Sequence, residues 1–248
     1  TASSVCRTEV ESMRIALIQQ SIIAGDKKAN YVRVSELVSE AISLPETVPD
    51  VIVLPELWST GYALTDFTEL ASDEGQEEAA FLGELAGRYG VWFAGGSVAA
   101  RTERGIVNRA QIIDRSGALV AAYDKVHLVP MLDEHIYLVA GNSCCVYTIE
   151  DMTFGLAICY DLRFCEFIRK LALSGAQALI VSAEWPLVRL SHWQALLKAR
   201  AIETNATCLP PTTRPWAVHR LPVILRRWAR MVPPCAGLSS NKALPSLR

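Results

Sequence analysis

The chain has 248 residues, of which 51% are hydrophobic and 20% are charged, and its net charge is −2 at neutral pH. That composition is typical of a globular protein and excludes a disordered chain. No apolar run approaches the roughly 18 residues that a membrane-spanning helix needs. A net charge this small gives no reason to expect a nucleic acid or an anionic membrane as the partner.

Strand and helix patterns alternate along the chain. In order, apolar strands are predicted at 14–19, 50–56, 91–100, 105–114, 118–123, 153–159 and 178–183, and helices at 26–43, 74–89, 164–174 and 191–203. Such alternation predicts an α/β protein whose sheet is covered by helices. The consecutive strands between 91 and 123 indicate a sheet that is mixed, or antiparallel at one side.

The cysteines and the N-terminus indicate the cellular location of the protein. Seven cysteines are scattered without the paired spacing of a zinc site, and in a chain this long they do not indicate a disulfide scaffold. Residues 1–12 contain no apolar signal-peptide region, and we expect them to be a leader or a non-native extension before a first strand that starts at Met13. These features predict a reducing, cytoplasmic location.

Three polar residues follow predicted strands. Glu56 ends "VIVLPE", Lys125 follows "AAYD", and Cys159 ends "GLAIC". Taken singly, each has a plainer interpretation: a loop acid, a surface charge and a core thiol. Because sites in open α/β sheets form at the carboxyl ends of strands, the three side chains are also candidates to meet at one place. Together they offer a base, a cation and a nucleophile.

Four segments carry a family resemblance. They are "LPELWSTGY", "YDKVHLVPMLDEHIYLVAG", "ICYDLRF" and "AEWPLVRLSHWQALLKARAIE", in this order. The chain from Met13 to about Glu203 thereby resembles the nitrilase superfamily of carbon–nitrogen hydrolases, and within it the ω-amidase-like branch. The resemblance implies a four-layer α-β-β-α sandwich and dimers joined through helices near the site.

The resemblance also implies a catalytic mechanism. Its Glu–Lys–Cys triad maps onto Glu56, Lys125 and Cys159, and a second glutamate that orients the lysine maps onto Glu134. Lys125 and the backbone N–H of Tyr160 would stabilise the oxyanion. The implied reaction is hydrolysis of a small ω-amide of a dicarboxylic or keto-dicarboxylic acid through a cysteine thioester. The sequence holds no metal-ligand cluster and no glycine-rich phosphate loop, so we expect neither a metal nor an organic cofactor.

Four residues are candidates for substrate binding: Tyr62, Tyr160, Arg163 and Trp185. Arg163 is suited to clamp the far carboxylate of a dicarboxylate monoamide. An equally good interpretation makes Arg163 a structural ion pair with Asp161 or Glu166. Tyr62 and Trp185 are more simply interpreted as packing residues that also wall the pocket.

Other functions stay open at this point. A cysteine–histidine hydrolase would use one of His127, His135, His192 or His219, but no motif pairs a histidine with Cys159. A nitrilase or an N-carbamoyl amidase would share the whole triad. A truncated, weakly active or inactive family member would share it too.

The C-terminal part departs from the family pattern. Residues 207–248 contain no acid but seven basic residues and seven of the 12 prolines, and they follow neither a helical nor a strand period. The family's closing strands are not recognisable there, and the family's proline after "RF" is Cys165 here. We interpret 13–206 as the hydrolase domain and 207–248 as an atypical tail, either a wrong-frame product or a basic partner-binding arm. The sandwich is then expected to be incomplete.

Limited proteolysis tests this interpretation of the tail. A trypsin-like protease should cut first between Arg214 and Arg230, because proline-dense chain with unbalanced positive charge is not expected to form interior strands. Fragments identified by mass spectrometry report the order of cleavage. A tail that resists the protease while the domain is cut would contradict the wrong-frame interpretation.

Overall fold

Two β-sheets, with helices against them, make up the part of the chain that the structure describes. The structure is a computed structural model, and it describes residues 13–43, 48–209 and 223–224. The predicted leader, residues 1–12, lies outside these ranges. Within them, no helix is both long and apolar enough to pass through a membrane.

The larger sheet is mixed. Among the described residues its strands, in spatial order, are β11 (Val223–Ile224), β1 (Arg14–Leu17), β2 (Val51–Val53), β4 (Trp92–Thr102), β5 (Gly105–Ile113) and β6 (Leu119–Asp124), while β3 (Ser72–Asp73) pairs with β4. Strand β2 is parallel to both β1 and β4, whereas β5 is antiparallel to both β4 and β6. The sequence prediction of a sheet that is mixed, or antiparallel at one side, is confirmed.

The smaller sheet carries the predicted cysteine. Its described strands, in spatial order, are β10 (Thr207–Leu209), β9 (Ala178–Ser182), β8 (Met152–Ile158) and β7 (Val146–Ile149). Strands β8, β9 and β10 are parallel, and β7 is antiparallel to β8. The parallel strands bring their carboxyl ends to one edge of the sheet, directly before Cys159 and Ala183.

The long helices lie close to their predicted positions. The described α-helices are α1 (Lys27–Ile42), α2 (Phe67–Leu70), α3 (Gln76–Tyr89), α4 (Glu134–Tyr137), α5 (Cys165–Leu173) and α6 (Leu190–Thr204). The bounds of the four longer helices agree with the predicted ranges to within two residues. The one-turn helices α2 and α4 were not predicted, since four residues are too few to show a helical period.

Side-chain alternation along the strands builds the layers. In β2, Val51 and Val53 join the core between the sheets together with Ile158 of β8. Ile52, between them, faces the opposite way and packs with Leu82 of α3. On the far side of the smaller sheet, α5 and α6 add their apolar faces to the core. The result is the expected α-β-β-α sandwich, in which each sheet is covered on both faces.

Two short strands come from the region interpreted as the tail. Strand β10 pairs with β9, with Leu209 opposite Ile180, and Leu209 is fully buried. Strand β11 pairs with β1 in the antiparallel sense. The sequence did not predict either strand, because two or three residues show no period. Residues 210–222 and 225–248 lie outside the described ranges, so the domain boundary at 206 stays a prediction.

A bulge in β4 supports the chain segment that follows β2. The register between β4 and β5 shifts between Ala94 and Ser97, and Gly96 has a φ of +75°. The Gly96 N–H donates to Ser182 Oγ at 2.7 Å, and the Ser182 hydroxyl donates to the Leu54 carbonyl at 3.1 Å. These bonds tie β4, β9 and the end of β2 together, so the two sheets are joined where β2 ends.

Gly96 is required here for two reasons. Its positive φ is strained for any residue with a Cβ. In addition, a Cβ at this position would lie 2.5 Å from the Cβ of Leu54. Gly90 at the end of α3 has a similar φ of +66°, but a Cβ there would meet no atom within 4 Å. A comparison of alanine variants at Gly90 and Gly96 therefore separates the free-energy cost of backbone strain from that of steric overlap.

Replacing each of these glycines by alanine tests the close approach. Gly90→Ala should lower the free energy of unfolding by about 1 kcal/mol, the cost of a left-handed backbone alone. Gly96→Ala should lower it by roughly 3 kcal/mol or more, because overlap with Leu54 adds to the strain. Urea unfolding followed by circular dichroism measures both. Equal losses in the two variants would show that Leu54 moves aside without a measurable cost in the free energy of unfolding.

Candidate active site

Cys159 lies at a sharp turn directly after β8. It has a φ of +45° and begins a 3-10 turn that spans Cys159–Arg163. The backbone N–H of Ile158 donates to Asp161 Oδ2 at 2.9 Å, which closes the turn around the cysteine. Positive φ is uncommon for a residue with a side chain, and such strain persists only where the surroundings enforce it. Only 5% of Cys159 is exposed.

The Asp161 carboxylate connects this turn to the segment around Lys125. It accepts hydrogen bonds from the Tyr123 hydroxyl at 2.7 Å and from the His127 backbone N–H at 3.0 Å. His127 Nδ1 also lies 2.7 Å from Asp161 Oδ1. Asp161 is fully buried, and its donors come from both sides of Lys125. It therefore fixes the cysteine turn relative to the lysine segment.

Glu56 lies three residues beyond β2 and is fully buried. Its Oε1 accepts three hydrogen bonds, from Lys125 Nζ at 2.8 Å, the Tyr62 hydroxyl at 2.9 Å and Asn108 Nδ2 at 3.0 Å. Its Oε2 accepts one, from the backbone N–H of Glu184 at 2.9 Å. Because Oε1 already has three donors, Oε2 is the oxygen with capacity to take a further proton.

Lys125 joins two carboxylates inside the protein. It follows β6 and is fully buried, and its Nζ donates to Glu56 Oε1 and to Glu134 Oε1, both at 2.8 Å. Glu134 begins α4, and its other oxygen accepts the Val129 backbone N–H at 2.7 Å. An ammonium group has three donors, so one hydrogen of Lys125 is left for a further acceptor.

Tyr62 belongs to this cluster rather than to a separate pocket wall. Its hydroxyl lies 2.9 Å from Glu56 Oε1 and also 2.9 Å from Glu134 Oε1. Burial and the neighbouring charges, of which Glu56 is the largest, raise the pKa of Tyr62 well above its usual range. The phenol therefore stays protonated, and its single hydrogen lies between the two glutamate oxygens as a neutral donor.

The electrostatics of the cluster keep the lysine charged and the thiol neutral. Burial disfavours the charge of Lys125, but the carboxylates of Glu56 and Glu134 outweigh it and raise its pKa. Burial and the charge of Glu56 raise the pKa of Cys159 well above its usual range, although Lys125 opposes them. Since Glu56 acts on the pKa of Cys159, the thiol lies close to a carboxylate that can accept its proton.

Glu184 is a further acid at this place, and the sequence analysis did not select it. It follows β9, and besides its backbone bond to Glu56 its carboxyl group interacts electrostatically with Glu56, Lys125 and Tyr62. Burial and the charge of Glu56 raise the pKa of Glu184 to about 8. No hydrogen bond to its carboxyl group is formed within residues 13–43, 48–209 and 223–224.

The other candidate substrate residues form a second group. The guanidinium carbon of Arg163 lies 5.0 Å from the centre of the Trp185 ring and 5.5 Å from that of Tyr160. Arg163 Nε is buried and lacks a hydrogen-bond partner, and Arg163 forms no ion pair with another described residue. Asp161 is bound to other donors instead. Tyr160, Arg163 and Trp185 thus lie together, whereas Tyr62 lies with the glutamates.

The described histidines are not paired with the thiol. His127 binds Asp161 and stacks on Phe164 with a ring-centre distance of 3.7 Å. Neither His135 nor His192 forms a hydrogen bond to Cys159, and His219 lies outside the described residues. Throughout the described part of the chain, no three His, Cys, Asp or Glu side chains are grouped to hold a metal ion.

Three residues of the site escaped the sequence analysis in their structural roles: Asn108, Asp161 and Glu184. A polar side chain inside the apolar strand "GIVNRAQIID" is a signal that could have selected Asn108. Asp161 was considered only as a partner for Arg163. Glu184 lies in a quoted motif, but nothing in one sequence shows that its backbone reaches Glu56.

Comparison with known proteins agrees with this geometry. Residues 14–216 match the carbon–nitrogen hydrolase family. The chain is 42% identical over 189 residues to the 2-oxoglutaramate amidase of Bacillus subtilis, covering 74% of this chain and 72% of that protein. It is 37% identical over 194 residues to the omega-amidase YafV of Escherichia coli K12, covering 78% and 72%.

Solved structures show the same fold. XC1258 from Xanthomonas campestris, a CN-hydrolase superfamily protein, superposes with a TM-score of 0.74 at 29% identity and covers 82% of this chain and 76% of that chain. Nit3 of Saccharomyces cerevisiae, from branch 10 of the nitrilase superfamily, gives a TM-score of 0.75 at 25% identity with the same coverage. By the extent of these matches, the chain belongs to the carbon–nitrogen hydrolase family of the nitrilase superfamily.

Proposed function

We propose that the protein hydrolyses a small linear ω-amide of a dicarboxylic or keto-dicarboxylic acid, releasing ammonia through a thioester on Cys159. The observation that carries this proposal is the buried cluster in which Lys125 bridges Glu56 and Glu134 beside a strained cysteine. A buried cation held between two carboxylates is costly to maintain for stability alone. Its arrangement next to a thiol is typical of nucleophilic catalysis.

In the first step, the thiol attacks the amide carbonyl while its proton moves to Glu56. The raised pKa of Cys159 means that no thiolate is present beforehand, so proton transfer accompanies the attack. Oε2 of Glu56 is the acceptor, since Oε1 is occupied by three donors. A bond forms between Cys159 Sγ and the carbonyl carbon, and the carbonyl electron pair moves to oxygen.

The developing oxyanion needs donors that are already in position. The third hydrogen of Lys125 Nζ is available, because the other two bind Glu56 and Glu134. The backbone N–H of Tyr160, in the first turn after Cys159, is the second donor of the proposal, because amides at the start of a helical turn have no internal partner. One such donor is commonly worth about 3 kcal/mol in the transition state.

The intermediate then collapses and water completes the cycle. Glu56 returns the proton to the amide nitrogen, the C–N bond breaks, and ammonia leaves a thioester on Cys159. Water enters the vacated position, gives a proton to Glu56 and attacks the thioester carbonyl. The C–S bond breaks, and Glu56 returns the proton to Cys159 Sγ, which restores the starting state.

Arg163 supports the proposed substrate class. Its guanidinium lies near the Tyr160 and Trp185 rings, forms no ion pair with a described residue, and has a buried Nε without a hydrogen-bond partner. A half-buried guanidinium with an unused donor is suited to bind a carboxylate of the substrate. The names of the relatives point the same way, since 2-oxoglutaramate and ω-amide substrates carry a carboxylate distal to the amide.

The protein is further proposed to be cytoplasmic and to form a homodimer. Five cysteines in the described ranges are free thiols, which supports a reducing, cytoplasmic setting. Leu173, Val188 and Ile202, on or beside α5 and α6, are exposed apolar residues, which supports a homodimer formed through these helices. Nucleic acid is not expected to bind a chain of net charge −2.

Replacing the proposed nucleophile tests the mechanism. Cys159→Ala should abolish ammonia release from succinamate, because it removes the sulfur that attacks the amide carbonyl. Glu56→Gln should lower the rate by roughly 10³-fold or more, since it removes the base. Cys165→Ala, at an exposed thiol six residues away, is the matched control and should keep full activity. Mass spectrometry should find a transient acyl adduct on Cys159 alone, and activity in Cys159→Ala would refute the proposal.

A substrate panel tests the proposed specificity. The wild type should prefer succinamate and α-ketoglutaramate to simple nitriles and N-carbamoyl amino acids. Arg163→Leu should raise KM for the dicarboxylate monoamides by roughly 10- to 100-fold, since a charge-assisted hydrogen bond is lost. The exposed Arg169→Leu on α5 is the control and should have no effect. Preference for nitriles, or unchanged KM in Arg163→Leu, would contradict the substrate class.

A further inference from the structure

We propose that Glu184 is a substrate-contacting residue whose carboxyl group hydrogen-bonds the leaving nitrogen of the amide and so selects primary amides by their N–H groups. This inference rests on the proposed hydrolysis at Cys159. The backbone N–H of Glu184 binds Glu56 Oε2 at 2.9 Å.

The leaving nitrogen must approach Glu56 Oε2. That oxygen is the one able to carry the proton from the thiol, because the other oxygen already accepts from Lys125, Tyr62 and Asn108. Proton delivery requires the nitrogen within hydrogen-bond distance of Oε2. The nitrogen is thereby brought next to the backbone of Glu184, whose N–H binds Oε2. The carboxyl group of the same residue interacts electrostatically with Glu56 and Lys125, so it also lies beside this position.

The carboxyl group of Glu184 lacks a partner at this place. It is partly buried next to the cluster, yet it forms no hydrogen bond with any residue in the described ranges. Glu184 is half-buried, so its carboxyl oxygens can be reached from the site and can bind a polar group that enters it. The amide nitrogen of the substrate is such a group.

The charges around Glu184 favour its protonated form. The ionisable groups that act on it or feel its charge are Glu56 and Tyr62 on the segment after β2 and Lys125 after β6. Lys125 is already shared by two carboxylates, so a second free anion beside Glu56 would be uncompensated. The pKa of Glu184, about 8, agrees with a neutral group at pH 7.

A neutral carboxyl group can form hydrogen bonds with both the leaving group and the attacking water. Its carbonyl oxygen accepts an N–H of the amide and then of ammonia, and its O–H remains a donor. Holding one N–H at Glu184 turns the nitrogen lone pair toward the proton on Glu56. A leaving group without N–H gains nothing from this contact, which is the basis of the proposed selectivity.

Two substrates with one acyl group test the contact. Succinamate and the S-methyl monothioester of succinic acid form the same acyl-enzyme, but only the amide has N–H groups on its leaving atom. For Glu184→Leu, kcat/KM should fall roughly 10- to 100-fold for the amide and stay close to wild type for the thioester. Glu184→Gln, which keeps a carbonyl acceptor, should recover most of the amide rate. Glu84→Leu, at an exposed glutamate on α3, is the control.

The possible results distinguish the role of Glu184 from the proposed amide hydrolysis. Equal losses for both substrates in Glu184→Leu, or no loss, overturn the role of Glu184 while the proposed function stands. A wild type that cleaves neither substrate overturns the proposed function and this inference with it. Because kcat/KM reports the steps through acylation, the shared deacylation step does not affect the comparison.

The pH profile gives a second, independent measurement. Ionisation of Glu184 adds a second negative charge beside Glu56, which opposes the negative charge that develops in the transition state. Wild-type kcat/KM for succinamate should therefore fall above about pH 8. Cys159, Lys125 and Tyr62 have pKa values raised out of this range and do not produce such a fall. Glu184→Gln cannot ionise and should lack the decline. A decline of the same size in this variant overturns the proposal, even if Glu184→Leu does not fold.

Discussion

The site depends on one interaction, the sharing of the buried Lys125 ammonium by Glu56 and Glu134. Both contacts are 2.8 Å long, and all three side chains are inaccessible to solvent. Two carboxylates so close together would repel each other without the cation, and the cation would be expelled without them. Removing one member of such a set leaves an uncompensated buried charge, which commonly costs about 3–5 kcal/mol. The same interaction that stabilises the cluster therefore also orients the base.

The fold supplies this cluster from three separate strand ends. Glu56 follows β2, Lys125 follows β6, and Cys159 follows β8 in the other sheet. Two sets of hydrogen bonds fix the relative positions of these strand ends. Asp161 joins the cysteine turn to the lysine segment. Ser182 joins Gly96 to Leu54 across the two sheets. Because these groups are buried, their hydrogen bonds exchange little with water and keep the geometry fixed.

Much of this arrangement could be predicted from the sequence, for identifiable reasons. Long helices and strands have a period, so their positions agree with the structure, and the motifs around Glu56, Lys125 and Cys159 select the residues that the fold brings together. The strands β10 and β11 and the helix α4 are too short to show a period. Glu184 and Asp161 were missed in their roles because those roles rest on contacts between segments distant in the chain. The sequence places Tyr62 only at a pocket wall, since its contacts with two glutamates depend on the folded positions of both.

The described contacts also bear on the choice between a working enzyme and a truncated, inactive one. Every hydrogen bond found for the side chains of Glu56, Lys125 and Glu134 is made with residues between 56 and 184. The geometry of the cluster thus draws on the part of the chain where the family motifs are intact. The described parts of the C-terminal segment, β10 and β11, pair with β9 and β1 and form none of these hydrogen bonds. The sequence of this segment is therefore expected to change the free energy of unfolding of the sandwich. The chemistry at Cys159 is set by residues that precede the segment.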